Sequence, residues 1–110
     1  MRDGGRIVVV STDGTKMHFP NNSLYLGSKG AIEQFARSLA IELGPRNVTV
    51  NILSPGFTDT DMMPEQYAAS LSPFKRVGTT EDVAAVATFL ASDAVRWVTG
   101  QNVQAGGGVV

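Results

Sequence analysis

Residues 20–45 read PNNSLYLGSKGAIEQFARSLAIELGP, and this stretch decides the fold together with what flanks it. Pro20 precedes a helical pattern that Asn21, Asn22 or Ser23 can cap and that Gly44-Pro45 stops. Ile32, Phe35, Ala36, Leu39, Ala40 and Leu43 follow the helical period and predict a helix over 22–43 with one buried stripe. Upstream stand Ile7-Val8-Val9-Val10, four consecutive β-branched residues led in by Gly4-Gly5-Arg6. Downstream stand Val48-Thr49-Val50-Asn51-Ile52-Leu53, closed by Ser54-Pro55-Gly56. The continuous apolar run Ile7–Val10 marks a parallel strand buried on both faces, and residues 48–53 are read as a second strand. Strand, helix and strand form a βαβ unit, whose crossover should be right-handed.

Further along, residues 57–77 predict an irregular or weakly helical connection, long enough to be a lid or binding loop. Thr79 or Thr80 caps the next helix, Glu81 and Asp82 suit its first turn, and Val83, Val86, Ala87 and Leu90 supply its buried face. A last short strand is expected around Asn102-Val103-Gln104. Three parallel strands and two main helices make an α/β architecture, equivalent to the C-terminal half of a doubly wound, Rossmann-like sheet. No glycine-rich turn sits between a strand and a helix, and Gly106-x-Gly108 has no helix to open. The 110 residues are read as one partial domain.

Composition narrows the function classes. Nine basic and ten acidic residues leave a net charge of −1, with no electrostatic pull toward nucleic acid or an anionic membrane. Zero cysteines exclude disulfides and thiolate chemistry, and a single histidine, His18, argues against a His-based metal site. No apolar run approaches a membrane span, and the first residues lack the features of a signal peptide. A soluble, cytoplasmic protein is expected.

Chemistry points to two places. In open α/β sheets ligands bind beyond the carboxyl ends of the strands, so Ser11 and Thr12 at the end of the first strand are candidates. Tyr25 and Lys29 stand at i and i+4, on one helix face, where an ammonium favours a neighbouring phenolate. By spacing alone such a pair is more often an ordinary surface pair. Gly27 and Gly30 beside it cost ~1 kcal/mol each in a helix interior, which suggests that a ligand or another backbone approaches there.

In order and at matching spacings, several pieces resemble the C-terminal half of a short-chain dehydrogenase/reductase. They are GGRIVVVST (residues 4–12), Tyr25-x-x-x-Lys29 with Ser28, VNILSPGFTDTDM (residues 50–62), Arg76-x-Gly78 with Glu81-Asp82-Val83-Ala84, Phe89-Leu90-Ala91-Ser92-Asp93, and Val98-Thr99-Gly100-Gln101. The resemblance runs from Gly4 to Gly108. It implies an oxidoreductase that moves hydride between NAD or NADP and the carbonyl or alcohol carbon of a small molecule. Tyr25 would be the proton donor and acceptor and would also contact the cofactor, and Lys29 would assist the tyrosine and bind the nicotinamide ribose. The serine of the family falls on Thr12, with Ser11 as the alternate. Pro55, Gly56, Thr58 and Thr60 match the stretch that contacts the cofactor, residues 60–77 match the substrate lid, and His18 and Phe19 match the pocket wall. No metal is implied.

The departures are as informative. The glycine-rich dinucleotide turn and its strands are absent, as is the family's Asn-Asn-Ala-Gly stretch, and Ala105 stands where an acidic residue is common. The alternative reading is therefore a catalytically silent fragment that at most associates with itself or a full-length relative through the helix 22–43. Strand 7–10 would then be an apolar edge, which predicts loose folding or self-association of the isolated chain.

Overall fold

A computed structural model of the chain describes residues 1–58 and 64–110. The first β-branched run forms strand β1 (Arg6–Val10), and the apolar stripe forms helix α1 (Ser23–Leu43), whose N-cap residue Asn22 makes no side-chain capping hydrogen bond. Strand β2 (Thr49–Pro55), helix α2 (Glu65–Leu71), helix α3 (Thr80–Leu90) and strand β3 (Asn102–Ala105) follow. The three strands make one parallel sheet in the order β1-β2-β3, with Val8 opposite Asn51 and Leu53 opposite Val103. This is the expected half of a doubly wound sheet.

The apolar runs work on both faces. Ile7, Val9, Val50 and Ile52 pack against Ala36, Leu39, Ala40 and Leu43 of α1. Val8, Leu53, Val103 and Ala105 turn the other way and pack against Val83, Val86, Ala87 and Leu90 of α3. Residues alternate across a strand, so a run with no polar break serves two layers at once. The middle of the central strand carries a polar residue, Asn51, with its side chain fully buried. Its amide donates to the Val98 carbonyl at 2.9 Å and accepts from the Gln101 backbone at 3.1 Å, which pins the turn into β3.

One expectation about α1 changes. Phe35 is 67% exposed and does not join the buried stripe, whereas Glu33 is only 5% exposed. The stripe centres on Ala36 and Ala40; at about 100° per residue Phe35 swings out of the interface and Glu33 swings in. In the long connection, read as irregular or weakly helical, the short helix α2 forms. Thr79 takes the cap of α3: its hydroxyl accepts from the Asp82 backbone, and the Asp82 carboxylate accepts from the Thr79 backbone. Among the described residues no helix is long and apolar enough to cross a membrane.

Candidate functional site

All three strands run the same way, so their carboxyl ends converge on one edge. There the chain leaves β1 through Ser11 and Thr12 into a single 3-10 turn over Asp13–Lys16. It leaves β2 through Pro55 and Gly56, whose N–H donates to the Ala105 carbonyl at 3.1 Å. The approach between these ends is close: a Cβ on Gly56 would lie 2.5 Å from the Gly106 Cα and 2.7 Å from Asp13 Oδ2. Only glycine fits, because backbone cannot give way as a flexible side chain does.

An open cavity of about 440 Å³ lies at this edge, lined by Ser11, Thr12, Tyr25, Pro55, Gly56 and Thr58, with Thr80, Val83 and Ala84 closing it from α3. The folded chain thus gathers most of the expected positions from the end of β1, the start of α1 and the end of β2. Tyr25, at the first turn of α1, is about half exposed. Thr60 lies outside the described residues. His18 and Phe19 do not line the cavity.

Lys29 is not part of the lining. Its ammonium donates to the Val10 carbonyl at 3.2 Å and stands 5.9 Å from the centre of the Tyr25 ring. It therefore bridges the helix that carries the phenol to the strand end that carries the hydroxyls. Among the described residues, nothing outside the surrounding turns of α1 lies within 4 Å of where a Cβ would stand on Gly27 or Gly30.

The two candidate hydroxyls differ in their partners. Ser11 is buried, its N–H extends the ladder to the Leu53 carbonyl at 2.8 Å, and its hydroxyl donates to Glu33 Oε2 at 2.5 Å. A hydroxyl has one proton, and this one is used. Thr12 Oγ1 accepts from the Gly14 backbone at 3.2 Å, and its own proton makes no hydrogen bond among the described residues.

Sequence reasoning missed the contribution of α3. Thr58 and Gly78 form a short parallel bridge, and Gly78 donates to the Phe57 carbonyl at 2.9 Å, which brings the start of α3 beside the end of β2. Arg76 locks the same corner. Its guanidinium binds the Asp82 carboxylate at 2.6 Å, and with the Thr79 N–H it holds that carboxyl below its ordinary 3.8, at about 2. The Thr-Thr-Glu-Asp cap was visible in the sequence, but nothing local said what it would face.

Comparison with known proteins places this arrangement. The family model described as enoyl-(acyl carrier protein) reductase matches residues 1–110. Versicolorin reductase stcU of Emericella nidulans is 39% identical over 98% of this chain and 48% of its own length. Among solved structures, the reductase LugOII, which catalyses keto-reduction at C1 during lugdunomycin biosynthesis, superposes with a TM-score of 0.93 at 43% identity, over 99% of this chain and 46% of that one. The landomycin C-6 ketoreductase LanV, solved with bound NADP and rabelomycin, gives 0.91 at 41% identity, over 99% of this chain and 43% of that one. The chain spans about half the length of the relatives it matches.

Proposed function

Because the chain belongs to the short-chain dehydrogenase/reductase family, we propose that it is the proton-transfer half of an NADP-dependent ketoreductase acting on a small-molecule ketone. One observation carries this reading: the strand-end cavity brings Thr12, Tyr25, Pro55, Gly56 and Thr58 together from separate parts of the chain. The relatives named as ketoreductases, one of them holding NADP, support the ketone and the cofactor.

In this reading Tyr25 gives its phenolic proton to the carbonyl oxygen as the carbonyl carbon is reduced. Thr12 donates a hydrogen bond to the same oxygen and aims it at the phenol. Lys29 stabilises the phenolate that remains, and is placed to do so by its hydrogen bond to Val10. Its ammonium, with the backbone around Pro55, Gly56, Thr58 and Thr60, would hold the nicotinamide end of the cofactor. That end fits the residues present, since the Thr12 and Tyr25 hydroxyls face the cavity beside a glycine-built floor. The nicotinamide supplies hydride when bound, and the protein supplies orientation and the proton.

Among the described residues no strand passes through a glycine-rich turn into a helix, the cradle that a pyrophosphate takes in this kind of sheet. This favours a second reading of residues 1–110 by themselves, in which they are catalytically silent without a dinucleotide-binding half. Both readings are tested by one comparison, NADPH binding and NADPH-driven reduction of a bicyclic ketone. The chain alone is expected to show neither, and the chain joined to the N-terminal half of LugOII is expected to show both. Turnover that survives Tyr25→Phe in the joined protein would refute the first reading. Micromolar NADPH binding by residues 1–110 alone would refute the second.

The same proposal includes a homo-oligomer built on α1. Leu24 and Phe35 are 91% and 67% exposed and, with Ala31, fall on one stripe of the helix facing away from the sheet. An apolar stripe on the outer side of a helix already packed on a sheet is a docking face for a second copy.

A further inference from the structure

Glu33 is a buried carboxylate with no part in the proposed proton transfer. Its Oε2 accepts the hydroxyls of Ser11 at 2.5 Å and Thr15 at 2.7 Å, and its Oε1 accepts the Asn102 amide at 3.2 Å. The Asn102 carbonyl oxygen in turn accepts the Ser54 hydroxyl at 2.6 Å. Among the described residues no lysine or arginine forms an ion pair with Glu33. A carboxylate buried without a cation is costly unless its lone pairs are filled by donors, and here three donors from different segments fill them. Fully satisfied buried networks of this kind specify a geometry.

The geometry they specify is that of the candidate site. Glu33 is one turn beyond Lys29 and two turns beyond Tyr25 on α1. Its hydroxyl partners, Ser11 and Thr15, bracket Thr12, and the Thr15 backbone N–H donates to the Thr12 carbonyl at 3.4 Å. We infer that Glu33 is a positioning residue: by gripping Ser11 and Thr15 it fixes the strand end against α1, so that Thr12 and not Ser11 offers its proton to the cavity that Tyr25 lines. The inference rests on Thr12, Tyr25 and Lys29 being the groups that act on substrate. Two consequences follow from one contact. Ser11 is removed as a donor to the cavity because its hydroxyl donates to Glu33, and the Thr12 backbone is held from both sides.

The test uses the full chain with the N-terminal half of LugOII supplied ahead of it, with NADPH and 1-decalone as probes. It compares Glu33→Ala, Glu33→Gln and Ser11→Ala. Misplacing a reacting group by ~1 Å costs on the order of 10²-fold in rate, so Glu33→Ala is expected to lose about that in kcat, with the KM for NADPH little changed. Glu33→Gln keeps an oxygen for both hydroxyls and needs only a turned Asn102 amide, so it is expected to recover most of the loss. Three-bond NMR couplings to the Thr12 methyl group, read without substrate, are expected to report one rotamer in the parent and averaging in Glu33→Ala. A single unchanged Thr12 rotamer in a folded Glu33→Ala protein overturns the inference, as does an unchanged kcat. An equal loss in Glu33→Gln with a displaced pH profile also overturns it, since the charge would then act directly. If Glu33→Ala does not fold, Ser11→Ala removes one arm of the grip, and its Thr12 couplings decide in the same way. Turnover that survives Tyr25→Phe would sink the functional reading instead, and the rotamer measurement still judges Glu33.

Discussion

The ammonium of Lys29 reaches from α1 to the carbonyl oxygen of Val10, 3.2 Å away, while standing 5.9 Å from the centre of the Tyr25 ring. The two side chains share a helix face one turn apart, and the lysine stem crosses the gap to the sheet. The contact gives Lys29 two separable roles, holding the helix start to the strand end and placing a positive charge beside the phenol.

Tyr25→Phe removes only the hydroxyl of a half-exposed residue, so folding should be untouched. A positioned proton donor contributes about 10²–10⁴-fold, and turnover should fall by that much with NADPH binding unchanged. Lys29→Met keeps the stem but loses the charge, and should weaken both turnover and NADPH binding. Steady-state kinetics beside a fluorescence titration separate the two patterns.

Ser11 and Thr12 should divide into a structural and a functional hydroxyl. Removing the buried Ser11 donor leaves Glu33 short of a partner, so Ser11→Ala should lower stability by about 1–3 kcal/mol in chemical denaturation. Thr12→Val keeps the shape and loses the free donor. It should cost about 10²-fold in kcat and, because the Gly14 N–H loses its acceptor, about 0.5–2 kcal/mol in stability, and Thr12→Ser should restore both. Loss of kcat in Thr12→Val no larger than in Ser11→Ala would give the role to Ser11.

Glycines at the site should respond in opposite directions. Gly56→Ala drives a methyl group into the Gly106 backbone and should lower the melting temperature through a cost of about 1–3 kcal/mol. Gly30→Ala meets nothing within 4 Å in a helix interior and should stabilise by about 1 kcal/mol. A gain in stability with a loss of NADPH binding or of self-association would identify what uses the space.

Asp82 makes the start of α3 sensitive to acid. Its carboxyl is held at about 2, below its ordinary 3.8, chiefly by the Arg76 hydrogen bond and then by the Thr79 N–H. A lowered value means that the folded state prefers the ionised form, so the contribution is complete above about 4 and is lost as pH falls toward about 2. Hydrogen exchange at the first amides of α3 should accelerate over that window. Asp82→Asn should show fast exchange at neutral pH and no acid transition.

Phe35 tests the outer face of α1. Phe35→Glu places a charge on an exposed apolar stripe and should leave the melt of the folded protein within about 0.5 kcal/mol. If that face receives a second copy, the same change should shift the sedimentation coefficient toward the monomer. No shift in an oligomeric parent would place the interface elsewhere.

Much of the site was legible along the chain. Tyr25 and Lys29 could be paired because the helical period is local, and Thr12 and Ser11 could be placed because an uninterrupted β-branched run must end at the ligand side of a parallel sheet. Glu33 was not legible. A charged residue inside a helical pattern reads as solvent-facing, and its partners Ser11, Thr15 and Asn102 lie 22, 18 and 69 positions away. Phe35 failed for the same reason in reverse: periodicity finds an apolar stripe but not which residue at its margin meets the sheet. The lining from Thr80, Val83 and Ala84 depended on the Thr58–Gly78 bridge, a contact between segments with no shared local signal.

The sequence by itself determined the elements, their parallel order and the family, because runs of β-branched residues, capping patterns and spaced motifs act over a few residues at a time. Only the tertiary structure decided which hydroxyl keeps its proton free and where the lysine ammonium rests. It also showed that a buried carboxylate sits behind the site. Those outcomes depend on which donors reach which acceptors once distant segments are packed, and hydrogen bonds are satisfied in three dimensions, not along the chain.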